Sequence, residues 1–130
     1  MPVITNWHDE ANSVIRVEFS DPWTLTELSS GIQTSRQLMG GVTHTVDVIW
    51  DGTKTKGAPS NMLSHFMFPN QDTIIPENQG AVVVVVNGMF LRQFALIAKR
   101  LMTQITKNMH IATSLTDAEK KIESLRESRS

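Results

Sequence analysis

The chain has 130 residues, of which 40% are hydrophobic and 19% charged, with a formal net charge of −1 and no cysteine. Such a composition predicts one globular domain, residues 1–130, long enough to bury its own core and unlike a disordered segment. It excludes disulfides, thiolate metal sites and cysteine nucleophiles, suits a reducing cytoplasm, and offers no global field to recruit nucleic acid or an anionic membrane.

The opening MPVITNWHDE lacks the basic start and apolar core of a secretory signal. Residues 3–8 (VITNWH) and 14–19 (VIRVEF) predict two strands around DEANS, a run of turn formers, and hence an antiparallel hairpin. In the second strand Ile15, Val17 and Phe19 take one face while Arg16 and Glu18 take the other.

A helix follows at DPWTLTEL. Thr24 is placed as N-cap with Glu27 three residues on, a capping box, and Trp23 and Leu28 bracket it as a hydrophobic staple. Leu25, Leu28, Ile32, Ser35 and Met39 recur at helical spacing, and Gly40 and Gly41 predict a stop through a left-handed cap. Residues 43–51 (THTVDVIWD) predict a strand that ends at Asp51, and Pro59 opens a second helix through Phe68.

After the loop PNQDTIIPENQG, the run AVVVVV at 81–86 predicts a strand buried on both faces and interior to the sheet. It is the longest apolar run and far short of the ~20 residues needed for membrane insertion. Phe90, Phe94, Ile97, Leu101 and Ile105 mark a third helix over 89–106, and MHIAT at 109–113 a last strand. Thr116 and Glu119 repeat the capping box, opening a final helix whose stripe is Ala118, Ile122 and Leu125. The order predicts an α/β fold: a mostly parallel five-stranded sheet with an N-terminal antiparallel hairpin and four helices.

In open α/β sheets ligands sit beyond the carboxyl ends of the strands, which here gathers residues 21–23, 51–60 and 87–90. Asp51 and Asn87 terminate the two most apolar strands, and they serve either a ligand rim or simple turn capping. The second helix would point its N–H groups there, with Lys54 and Lys56 adding charge.

Catalytic and cofactor signatures are missing: there is no GxGxxG, GxxxxGK[ST] or GxSxG, so no cofactor and no enzyme activity are expected. Asp47 and Asp51 share a strand face but stand ~13 Å apart, too far for a glycosidase pair. The four histidines show no metal-ligand spacing. Met62 and Phe66, with their apolar neighbours, make the second helix apolar around much of its circumference. Core packing, a self-association surface and an apolar pocket all accommodate that.

Taken in order, IRVEFSDPWTLTEL, TVDVIWD, PSNML, NQGAVVVVVNGMF and TSLTDAEKKI resemble the bacterial SpoIIAA-like family, of the STAS fold, over roughly the whole chain. The resemblance implies a cytoplasmic, non-catalytic regulatory or binding module that acts through a protein partner, a homodimer being one form of that contact. The same fold is shared with lipid-carrying CRAL-TRIO domains, so binding of an apolar or lipid-like ligand is the alternative expectation. Anti-sigma antagonists of this fold carry a phosphorylatable serine at the start of the helix after the third strand. Ser60 matches by position, although Ala58 and Pro59 precede it instead of an aspartate. The expected surface therefore combines Asp51, Lys54, Lys56, Ser60 and Asn87 with Met62 and Phe66.

Overall fold

The structure is a computed structural model and describes residues 3–55, 76–86 and 109–129. Five strands, β1 (Val3–Trp7), β2 (Val14–Ser20), β3 (Val46–Lys54), β4 (Gln79–Val86) and β5 (Met109–Ala112), form one sheet in sequence order. β1 runs antiparallel to β2, and the pairs β2–β3, β3–β4 and β4–β5 are parallel. Two described helices, α1 (Leu25–Gly40) and α2 (Leu115–Arg129), pack on opposite faces. The helices expected at 59–68 and 89–106 lie outside the described residues. None of the described helices is long and apolar enough to cross a membrane.

The hairpin forms as its pattern predicts. Asp9 folds the turn by accepting from the Ser13 and Val14 amides (2.8 and 3.0 Å) and from the Ser13 hydroxyl. Asn12 sits at φ 54°, a left-handed value that asparagine tolerates better than most residues.

Thr24 caps α1 with the predicted box: its hydroxyl accepts from the Glu27 amide, and the Glu27 carboxylate accepts from the Thr24 amide. Leu28, Gly31, Ile32, Ser35 and Met39 are its buried residues, close to the predicted stripe. The far end departs from expectation. Gly41 adopts an ordinary right-handed cap, its N–H donating to the Leu38 carbonyl and the Val42 N–H to that of Met39, and no described glycine has positive φ. Tight i→i+3 bonds satisfy the last carbonyls, so no left-handed residue is required.

The valine strand lies between β3 and β5. Val82, Val84 and Val86 join the core on the α1 face, with Ile15, Val17, Phe19, Val48 and Trp50. Val83 and Val85 join the other core, beneath α2, with Val14, Ile49, Ala112, Ala118 and Ile122. Burial on both faces explains why five consecutive valines are accommodated without alternation.

Placement within the sheet predicts opposite responses to charge. Val83→Asp, in the centre, should cost well over 3 kcal/mol and abolish cooperative unfolding in urea, because an unpaired carboxylate would be buried. Ile4→Asp, on the edge strand, should change stability by less than about 0.5 kcal/mol in the same measurement.

Candidate functional site

Alternation along β3 turns Val46, Val48 and Trp50 toward one core and Ile49 toward the other, with Asp47 and Asp51 on the side of Ile49. Both carboxylates are 0% exposed. Asp47 is enclosed by α2: Arg126 Nε donates to it at 2.8 Å, and Arg129 donates through Nη1 at 3.0 Å and Nη2 at 2.9 Å. The Ala81 amide adds a fourth donor at 2.8 Å, and Arg126 Nη2 continues to the Ser13 carbonyl. Gly80 makes room for this cluster, since a Cβ there would overlap Asp47 Oδ1 and Arg129 Nη1. Burial alone would raise the Asp47 pKa; donors from Arg129, Ala81 and Arg126 outweigh it and hold the carboxyl below its ordinary value.

Asp51 has its own partners. Arg16 donates from Nε and Nη2 (3.0 and 2.6 Å), and Thr53 from its amide and hydroxyl (3.0 and 2.7 Å). Here too burial pushes upward, and the bonds from Thr53 and Arg16 override it to lower the pKa. β3 does not end at Asp51 as expected: it continues to Lys54, which pairs beside Ser20 after an irregularity in the β2 register. The carboxylate thus lies within a strand, turned toward Arg16 on its neighbour instead of out to a rim. Lys54 is exposed and forms an ion pair with Glu18, which also stands 3.7 Å from Arg16. Beyond it, Thr55 accepts from Trp23 Nε1 (2.9 Å) and donates to Asp21 (2.6 Å), joining the strand end to the 21–23 turn. Lys56, Ser60, Met62, Phe66 and Asn87 lie outside the described residues.

A different concavity is lined by described residues. α2 packs over β3, β4 and β5, while α1 covers β1 and β2 from the other side. Among the described residues no helix covers the α2-side face of β1 and β2, and a groove of about 510 Å³ runs between that half and α2. Val14, Ile49 and Ile122 give it an apolar floor; Glu119, Glu123 and Glu127 of α2 line it with Arg126; His8 and Asp9 close the hairpin end. His8 Nε2 stands 3.8 Å from Glu119 across it. A smaller recess of about 230 Å³ continues from His8 along Ile4, Asn6, Arg16 and Glu18. The glutamates were not among the expected site residues; their signal was the i, i+4, i+8 spacing in the last helix.

That helix also begins differently from expectation. Ser114, two residues before Thr116, is the capping side chain, accepting from the Asp117 amide (3.0 Å), while Asp117 accepts from the Thr113 amide (3.3 Å). Two overlapping capping patterns compete in TSLTDAE, and the end of β5 at Ala112 selects the earlier one. The chain matches no family model, no curated protein and no solved structure. Among the described residues no group of three or more His, Asp or Glu could hold a metal ion.

The lowered Asp47 and Asp51 pKa values fix an acid limb. Their contribution to stability is complete above the unfolded carboxylate value, about 3.9, and is lost as pH falls through the lower folded values. Chemical denaturation should therefore be nearly flat from pH 7 to about 5 and fall steeply below about 4. Asp47→Asn should cost about 2–4 kcal/mol at pH 7, reduced from the fully buried case because both arginines are about one-third exposed, and should flatten that limb. Gly80→Ala should cost about 1–3 kcal/mol in the same assay through overlap with the cluster.

Proposed function

We propose that the chain is a non-catalytic binding module of the STAS type that engages a protein partner on the β1–β2 half of its sheet, beside α2. The observation that carries this reading is the groove beside α2, floored by apolar residues and continuous with the β1–β2 shelf. Ile4 on that shelf is 44% exposed, the one large hydrophobic among the described residues with that degree of exposure. An apolar floor rimmed by charged side chains is a usual composition of a contact surface. The carboxylates best shielded from water, Asp47 and Asp51, support the non-catalytic reading: each is saturated by donors and kept ionised, which suits a framework role and opposes proton donation near neutral pH. The antiparallel first strand at the edge of an otherwise parallel sheet, with helices on both faces, is compatible with the STAS assignment.

Site-specific photo-crosslinking in cells tests this. A benzophenone side chain at Ile4 should give one discrete adduct that the same group at Gln37, exposed on α1, does not give. The partner so identified should bind the purified chain, and Ile4→Asp should weaken that binding about tenfold, the loss of one well-buried contact. Absence of an adduct at Ile4, or equal yields at both positions, would remove the reading.

A further inference from the structure

We infer that the chain pairs with a second copy of itself through the outer edge of β1, extending the sheet across a two-fold axis at Thr5. The contact lies on the edge of the sheet and not on the face beside α2, so it goes beyond the binding role proposed above. β1 is an edge strand, and the hairpin bond from the His8 amide to the Val14 carbonyl (2.7 Å) sets its phase. Backbone groups alternate sides along an antiparallel strand. Ile4, Asn6 and His8 therefore turn theirs to β2, while Val3, Thr5 and Trp7 turn theirs outward. Among the described residues no hydrogen bond reaches those outward N–H and C=O groups. Another strand matches such a row; a helix spends its own backbone groups internally.

Edge strands are commonly blunted by charge, proline, a bulge or shortness. β5, at the other edge, has four residues. β1 reads VITNW, without charge or proline, and its register with β2 is unbroken.

Self-complementarity identifies the second strand. About an axis at Thr5, an antiparallel copy sets Val3 opposite Trp7 and Thr5 opposite Thr5, so every outward N–H meets an outward C=O. The next register in phase, in either direction, leaves Val3 or Trp7 unpaired. Aliphatic–aromatic and Thr–Thr pairs are favourable across strands, and no like charges meet. On the other face the exposed Ile4 of each copy lies beside Asn6 of the other. The contact is isologous, as a closed dimer requires, and its few residues a side make it concentration-dependent.

Sedimentation velocity over a concentration series of the full chain should show the mass rising from 14.5 kDa toward twice that value. Thr5→Pro removes an outward N–H that β2 does not use and should weaken dimerisation about tenfold or more. A second test leaves the backbone untouched. Ile4→Lys with Asn6→Lys sets like charges opposite each other twice across the axis and should weaken dimerisation severalfold. Ile4→Lys with Asn6→Asp sets opposite charges there and should restore it, both with the parent circular dichroism spectrum. Because the chain has no cysteine, disulfides read the register. A mixture of the Ile4→Cys and Asn6→Cys chains should give the mixed disulfide in excess over either symmetric one.

A chain that stays monomeric at its highest soluble concentration overturns the pairing. So does a dimer that the lysine pair leaves intact, which would assign it to another surface. An Ile4 photo-adduct of two copies of this chain belongs to the edge contact; one with another protein belongs to the proposed binding role. A monomeric chain whose Ile4 probe captures another protein leaves that role standing and the pairing fallen. A dimer that passes the charge test while no other protein is captured leaves the reverse.

Discussion

The geometry of the α2 face depends on one buried carboxylate. α2 has 15 residues, of which only Ala118 and Ile122 are fully buried. Burying those two side chains yields roughly 2–3 kcal/mol, little for a helix of a length that is marginal alone in water. Asp47 supplies what the apolar stripe lacks. Its bonds to Arg126 and Arg129 fix the last turns of the helix against β3, and the Ser13 contact fixes the same arginine to the hairpin. An apolar replacement of similar volume could match the stability of such a cluster. It would not impose direction, because apolar contacts are tolerant of rotation whereas three guanidinium bonds to one carboxylate are not.

The groove follows from that constraint together with the stagger of the two helices. α1 occupies the β1–β2 half of one face and α2 the β3–β5 part of the other. A sheet half that no described helix covers is an aggregation hazard unless its side chains are polar or charged. Here Arg16, Glu18 and Lys54, anchored through Asp51, line that face with a chain of ion pairs. Ile4 interrupts that polar cover at the edge, which is why it stands out as a contact and not as one more scattered apolar side chain.

Local rules carried much of the sequence reading. The hairpin, the capping box at Thr24 and the two-faced burial of the valines depend on neighbours within a few positions, and all were legible. What failed was the left-handed stop at Gly40 and Gly41, the boundary at Asp51 and the choice of cap for α2. Asp51 reads as a strand terminator because aspartate disfavours strands. Its stabilising partner, Arg16, is 35 residues earlier, and no local pattern reveals that the two will be cross-strand neighbours. Asp47 is harder still, with partners 79 and 82 residues away. Buried carboxylates are legible as types but not as pairs, and the groove depends on the pairs.

Pairing also explains how a nearly neutral chain acquires a charged groove. With a formal net charge of −1, composition alone predicts no local field. Yet the arginines of α2 are turned to the sheet by Asp47, and Lys121 is drawn along the helix to Asp117 at 3.4 Å. Both arginines and Lys121 are thereby engaged in structure, while Glu119, Glu123 and Glu127 line the groove. Local potential is set by which charges the fold neutralises, and here the clamp that orients the helix is also what leaves its groove-facing side acidic.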